Sequence, residues 1–443
     1  MKRITTTFLL TVLATAASAQ PQTTPPVAPA TAPTRLTIDE ALRRALKVNN
    51  SVERVREDIG IAEATRDQLL SAVMPRITLN GDLTRNSIEQ SFGGEGEDSV
   101  TILPRNDWAY RIVLSQPIFA GRRELRAYAQ AKLNVQNAQE QTLFTEDTAL
   151  LRVASSFLAV VNADRRIEIE RLNVELAQRR LEQAQAFFEA GEVTRVDVLR
   201  AETAMKAAQR LTAVASQQRE HAVAQLREDL DLDGPVEAVP PAKGLPPLPD
   251  EEALIARAAN ERRDVMVARN FVRMAELEVS KQRGFWLPTV TFDGGWINQK
   301  TPFPASQYTY GALRFNVPIF QSGEVVARIA GARAQERQAR VALEEARTGA
   351  REDVRTSMAD LRAAVTGLQL ATEQLEAARA EYEQAFELYR AQEATSLDVA
   401  ASEASLADAR RAVAEETLNR DLAELRVWFA AGALKDAVGV TDK

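Results

Sequence analysis

Two stretches of this chain, Gly121 to Gly191 and Gly323 to about Arg390, run without a single proline. A continuous helix of about 70 residues, rising 1.5 Å per residue, is a rod of roughly 100 Å. No globular core wraps a rod of that length, so such helices must lie against other long helices. The second stretch carries the pattern this requires. Val354, Met358, Leu361, Val365, Leu368 and Leu375 recur at spacings of 4, 3, 4, 3 and 7, a coiled-coil seam with Glu352, Arg355 and Glu373 between. Each rod then reverses. Thr194-x-x-Asp197 and Thr395-x-x-Asp398 both match a capping box, in which Thr caps a new helix and the acid answers its exposed amides. Gly191 permits the reversal in the first case, and Gln392 stands at the matching place in the second.

The chain repeats itself, and the repeat is best sought before any fold is assigned. Ala62, Glu63 and Pro75 lie 213 residues before Ala275, Glu276 and Pro288. Pro117, Ile118 and Phe119 lie 201 residues before Pro318, Ile319 and Phe320, and the same shift carries Thr194, Asp197 and Val198 onto Thr395, Asp398 and Val399. The two registers differ by 12 residues, which is one insertion. It falls in the Gly- and acid-rich stretch 93–98, where a loop tip tolerates extra residues.

Ahead of each rod the period changes from helix to strand. Ile77, Leu79 and Leu83 alternate with Thr78, Asn80 and Asp82, and Trp108, Tyr110, Ile112 and Leu114 alternate with Arg111 and Ser115. The second arm repeats this with Val290, Phe292 and Trp296, then Leu313, Phe315 and Val317. Each arm therefore carries one strand pair joined by a polar loop, four strands per chain. Pro117 with Gly121, and Pro318 with Gly323, supply elbows where strand passes into helix.

These periods divide the 443 residues as follows. Residues 1–19 read as a secretory signal, with Lys2 and Arg3 before a short apolar run and Ala17-Ser18-Ala19 at the cleavage site. Residues 20–34, rich in Pro, Thr and Ala, stay extended. The first repeat spans 35–233, with its strand pair at about 75–118 and a long helical hairpin at about 121–233. A Pro/Gly linker covers 234–249, and the second repeat spans 250–430, with strands at about 288–320 and a hairpin at about 323–430. Residues 431–443 form a C-terminal tail.

Composition removes whole classes of function. With 55 Lys+Arg against 62 Asp+Glu, the chain lacks the basic footprint of a nucleic-acid binder. It has no Cys and one His, so thiol nucleophiles, disulfides, Cys/His zinc sites and a lipid anchor on an N-terminal Cys are all excluded. His221 sits mid-helix in SQQREHAVAQLRE with no partner motif, the setting of an ordinary surface or packed histidine. Six scattered Met residues and no His-rich segment give no support for soft-metal handling.

Strands with one apolar, aromatic-bearing face suit the wall of an outer-membrane barrel, with lipid outside and water inside. They equally suit a soluble sheet packed on the helices. Trp108, Trp286 and Trp296 in or beside these segments fit aromatic girdles. Four strands cannot close on themselves, since small barrels need about eight. A spanning reading therefore demands an oligomer, two chains giving eight strands and three giving twelve.

The segments LSQPIFAGRRELRAYAQAKL and FNVPIFQSGEVVARIAGARA, the tips AGEVTRVDVLRAE and AQEATSLDVAASE, and VMPRITLNGDL with WLPTVTFDGGW resemble those of the outer-membrane efflux proteins, the TolC-like outer-membrane factors. The likeness runs in order through both repeats over nearly the whole mature chain. It implies a mainly α fold with a membrane β-barrel: long antiparallel coiled-coil helices forming an α-barrel, and a homotrimer whose four strands per chain make a 12-stranded barrel. It implies a passive duct in outer-membrane lipid, without cofactor, partnered by a periplasmic adaptor and an inner-membrane pump, proton-driven or ATP-driven. By the same resemblance Gly191, Thr194, Asp197, Val198, Tyr389, Thr395, Asp398 and Val399 belong to the periplasmic entrance and adaptor-docking tips. Ala394 and Ala401 stand where some members carry a basic residue and a second acid. Asp197 and Asp398 admit two roles, helix capping and a ring of carboxylates favouring cations. A periplasmic coiled-coil adaptor or tether is the rival reading, but adaptors carry one hairpin flanked by small β-domains, whereas this chain has two, each with a strand pair.

Overall fold

The computed structural model describes residues 34–93, 100–241, 244–391 and 393–439. The signal at 1–19, nearly all of the Pro-rich segment, residues 94–99 with most of the 93–98 insertion stretch, residues 242–243, Gln392 and the last four residues lie outside the described residues. The first arm opens with β1 (Thr34–Leu36), α1 (Ile38–Val48) and α2 (Asn50–Ser71). Thr37 and Glu40 form a full capping box on α1, and the Asn49 side chain accepts from the amides of Ser51 and Val52 to start α2. Then follow β2 (Arg76–Arg85), β3 (Gln90–Phe92), β4 (Val100–Leu103), β5 (Asn106–Ala120), α3 (Arg123–Glu189) and α4 (Arg195–Leu230). After β6 (Val236–Ala238), the second arm repeats the order with α5 (Glu251–Glu261), α6 (Arg263–Arg283), β7 (Thr289–Gln299), β8 (Gln307–Asn316), α7 (Glu324–Arg390) and α8 (Ser396–Ala430). A short α9 (Leu434–Ala437) ends the described chain. Both rods are 67 residues long.

One antiparallel sheet takes a strand pair from each arm, in the order β2-β5-β7-β8. Pairing of β5 with β7 welds the arms together. Cross-strand rows alternate in character, as a period of two demands. Leu79, Ile112, Trp296 and Thr309 form one row, and Asn80, Arg111, Ile297 and Tyr308 form the next on the opposite face. On the first face Ile77, Leu79 and Leu83 are 71 %, 70 % and 81 % exposed, so nothing in this chain covers them. A soluble sheet would pack that face on the helices; this one leaves it bare. The other face is knitted by Arg111 to Asp82 at 2.5 Å, Arg314 to Asp293 at 2.7 Å, and the Ser115 hydroxyl donating to Asp293 at 2.7 Å. The strands β2 and β8 are open edges.

The helices form a wall that continues from the sheet. Beside the strands, α2 packs on α3, and α6 sits between α3 and α7. Beyond the middle of the rods, α4 lies on α3, and α8 lies against both α3 and α7. The largest apolar core lies where α1 and α5 thicken this wall, and includes Leu42, Leu150, Phe157, Leu226, Leu254, Val354, Leu425 and Leu434. Burying one such side chain is worth about 1.5–3 kcal/mol, which makes this girdle the most firmly held level of the molecule. Among the described residues no helix is long and apolar enough to cross a membrane.

Three features differ from the sequence reading. Among the described residues four short strands join the four of the sheet: β1 pairs in parallel with β6, inside the 234–249 linker, and β3 pairs with β4. The strand β5 runs on through Pro117 to Ala120, with a register shift between Pro117 and Phe119, so this proline sits at a bulge and not at the strand end. Val365, placed in the coiled-coil seam, is 50 % exposed; near it α7 meets α8 through Gly367, where an added Cβ would lie 2.9 Å from the Glu416 carboxylate.

Candidate functional site

At the first tip α3 ends in a left-handed turn. Gly191 has φ +76°, and the Glu192 amide donates to the Phe187 carbonyl at 2.8 Å to close it. Nothing lies within 4 Å of a Cβ built on Gly191, so the glycine is there for its backbone angle. Thr194 then caps α4, and the Asp197 carboxylate accepts from the Thr194 amide at 3.1 Å and hydroxyl at 2.7 Å. At the second tip the Glu393 amide closes on the Leu388 carbonyl at 2.8 Å. Thr395 caps α8 with a complete box: Asp398 accepts from the Thr395 amide at 2.9 Å and hydroxyl at 2.6 Å, and its own amide donates back to Thr395 Oγ1 at 3.3 Å.

The two acids share a motif but not an environment. Asp398 touches only its own cap, and the Thr395 hydroxyl and amide hold its carboxyl below the usual range. Asp197 also accepts a short hydrogen bond from Ser396 Oγ of the other tip, the leading cause of its lowered pKa, and has Arg200 at 3.6 Å. Asp197 therefore ties the two hairpins together.

Further contacts in the same cross-tie were not legible in the sequence. Arg180 of α3, 8 % exposed, donates to Glu403 of α8 at 3.1 Å and to the Ser396 carbonyl at 2.9 Å. Burial pushes the Glu403 carboxyl up while Arg180 draws it down. Tyr389, buried, has its ring centroid 5.8 Å from that of Phe187, and burial raises its phenol. Higher up, Arg411 binds Glu170 at 2.8 Å and Arg410 donates to Asn173 at 3.2 Å. The buried cation of this cross-tie thus comes from α3, while Ala394 leaves its own place uncharged. The only signal for Arg180 is its position among the apolar seam residues Ala177, Leu181 and Ala184. Val198 packs on that same cluster and Val399 is buried. His221 lies exposed on α4, far along the chain from both tips.

At the strand-to-helix elbows the repeats diverge. After Pro117, Gly121 has φ +66° and Arg122 has φ +62°. A Cβ on Gly121 would lie 2.2 Å from the Gly284 carbonyl oxygen, so the first elbow rests directly on the end of α6. After Pro318, Ser322 and Gly323 have φ +45° and +82°, and nothing lies within 4 Å of a Cβ on Gly323. Ile319 and Phe320 are 92 % and 84 % exposed there.

Among the described residues no cluster of His, Cys, Asp and Glu could hold a metal ion. The arrangement offers a wall, two open seams and a pair of cross-tied tips. The family model described as outer membrane efflux protein matches residues 41–230 and 254–433, which covers both arms. Among solved structures the chain is similar to CusC at TM-score 0.77 and 16 % identity, over 89 % of this chain and 92 % of that one. It is similar to VceC of Vibrio cholerae at TM-score 0.74 and 14 % identity, over 89 % and 96 %. The open state of the MtrE channel of Neisseria gonorrhoeae gives TM-score 0.74 and 17 % identity, over 90 % and 89 %. At such identities the likeness speaks for the fold. No curated protein matches the chain by sequence.

Proposed function

Because the chain belongs to the outer membrane efflux protein family, we propose that it is the passive exit duct of a tripartite efflux or type I secretion system, working as a homotrimer. The observation that carries this reading is the sheet: four strands, an uncovered apolar face, and two open edges running straight into a helical wall. An open edge in lipid leaves backbone groups unpaired at several kcal/mol each. Joining β8 of one copy to β2 of the next removes every edge, and three copies make twelve strands. The helices call for the same join. α6 is flanked on both sides by α3 and α7, whereas α2 leans on α3 and leaves its other flank bare, with Ile61 65 % exposed. The α7 of a neighbouring copy would occupy that flank as the chain's own α7 flanks α6.

In this reading the outward apolar face meets outer-membrane lipid, and the rods reach roughly 100 Å into the periplasm. Their tips form an entrance, where Gly191, Thr194, Asp197, Val198, Tyr389, Thr395, Asp398 and Val399 face a periplasmic adaptor and an inner-membrane pump. The chain supplies the conduit and the pump supplies energy and selectivity, so drugs, solvents, siderophores and polypeptides are all candidate cargo. The decisive experiment is single-particle imaging of the mature protein extracted from outer membranes in mild detergent. A hollow three-fold cylinder with a detergent belt at one end is the expected outcome. A belt-free particle or a solid rod sinks the duct and returns the chain to a periplasmic tether.

A further inference from the structure

We propose that the junction between sheet and helices binds anionic phospholipid headgroups through Arg122, Arg126 and Arg283, an inference that rests on the membrane orientation given above. The segments flanking the strand ends on this side, 68–75, 121–128, 279–288 and 317–328, hold six basic and two acidic residues in a chain whose net charge is −7. Contact between Gly121 and Gly284 brings the backbones together, so Arg122 and Arg283, each beside one of these glycines, are held close. Arg126 lies in the first turn of α3, which Arg122 caps.

Neighbouring cations are already engaged. Lys281 pairs with Glu278 and Arg328 with Glu324, both at 2.5 Å, while the Arg123 and Arg328 guanidiniums lie 4.5 and 4.6 Å from the centroid of the Phe285 ring. Among the described residues Arg122, Arg126 and Arg283 have no ion pair and no side-chain hydrogen bond, and Glu124 is the one carboxylate in segment 121–128. Gathered like charges without counter-ions attract an anion. What makes the anion a lipid is the apolar rim: Leu125, Trp286 and Leu287 are 57 %, 47 % and 42 % exposed beside the arginines. A tryptophan and basic side chains at the foot of an apolar strand face match the acyl and phosphate levels of one leaflet.

The test reconstitutes the full mature protein in nanodiscs of equal phosphatidylglycerol and phosphatidylethanolamine and counts retained lipids by native mass spectrometry. Enrichment of phosphatidylglycerol by about threefold is expected, falling in concentrated salt as screening requires. The combined variant Arg122→Gln, Arg126→Gln, Arg283→Gln should return the ratio to that of the bilayer, and the corresponding triple Lys variant should keep the enrichment. Should the Gln variant not assemble, Arg283→Gln alone and the salt titration of the wild type decide. Equal retention of the two lipids, or enrichment that survives the Gln variant, overturns the proposal. Displacement of the lipid by inorganic phosphate assigns the site to the free anion and overturns it as well. A particle that inserts and conducts without enrichment fails here alone, whereas one that does not insert fails as a duct.

Discussion

The two elbows began as copies of one sequence, and the chain treats them differently. At the first, Gly121 is pressed against Gly284 so closely that neither can carry a side chain; at the second, Ser322 stands where the first has Gly121, and Gly323, which matches Arg122, has open space beside bare Ile319 and Phe320. The repeat explains the contrast. The first elbow meets α6, which follows it in the same chain, while in the proposed trimer the helix equivalent to α6 for the second elbow would be α2 of another copy. Its counterpart to Gly284 there is Ser71, by the same register of 213 residues. With Ser322 and Ser71 in place of Gly121 and Gly284, a seam between copies would have to be looser than the one sealed within the chain.

Substitution at these glycines gives the largest expected effect. Gly121→Ala adds a methyl at 2.2 Å from a backbone oxygen at a left-handed residue. Strain of the backbone angle and displacement of packed backbone together cost about 3 kcal/mol. Gly323→Ala meets only the angle, about 1 kcal/mol, and Arg122, at the matching place with φ +62°, shows that a side chain is accepted there. Thermal unfolding of the detergent-extracted particle should fall sharply for the first and slightly for the second. Equal losses would mean that the second elbow is as crowded in the assembly as the first.

A second asymmetry lies at the girdle. On α3, Asp147 is buried with its Oδ1 lacking a hydrogen-bond partner, and burial raises its pKa to about 6. Arg263 and Lys435 draw it back down, while Glu146 and Asp436 add to the rise. A shift of 201 residues places Arg347 and an exposed Thr348 at the corresponding turn of α7, so the second arm has no such acid. The raised pKa means the folded chain holds this proton more tightly than the unfolded one. Stability is then lost as pH rises from the ordinary carboxylate range through about 6, and it returns on acidification. Asp147→Asn should stabilise the particle by roughly 2 kcal/mol at neutral pH and flatten its pH dependence between about 4 and 6. A variant no more stable than wild type at pH 7.5, measured by denaturant midpoint, would show that the carboxylate is satisfied by water.

Much of this architecture was written locally, and what was not has a physical reason. Absence of proline and a heptad seam specified the rods; alternation specified β2, β5, β7 and β8; Thr194 and Thr395 announced both caps. Those signals are short-range, because each reports on residues within one or two turns. The pair of three-residue strands β1 and β6 is too short to show a period. The Arg180 to Glu403 and Ser396 to Asp197 contacts join residues 223 and 199 apart, and nothing near either end marks the partner. Val365 obeys the heptad yet is half exposed, since a repeat states which positions face a neighbour and not which neighbour the chain itself supplies.

The tips carry the same lesson at smaller energy. Their capping motifs are interchangeable in sequence, but Asp197 is bonded across to Ser396 and Asp398 is bonded only to Thr395. Ser396→Ala deletes the Asp197 bond of the cross-tie, leaving both caps and the Arg180 contacts intact. Loss of one hydrogen bond to a screened carboxylate costs about 1 kcal/mol, which, if the tips form the proposed entrance, corresponds to roughly a fivefold rise in its open population. Asp398→Asn leaves the cross-tie alone, so opening should be unchanged; it removes a carboxylate from the mouth, and cation preference should weaken. Because Asp197 has a lowered pKa, the bond it makes persists above the unfolded carboxylate value and fails only as pH falls through the folded one. Bilayer recordings separate the two variants, one by conductance and the other by reversal potential under a salt gradient. If Asp398→Asn opens the entrance as far as Ser396→Ala does, the tips are equivalent after all, and the asymmetry at Ser396 does not govern the opening.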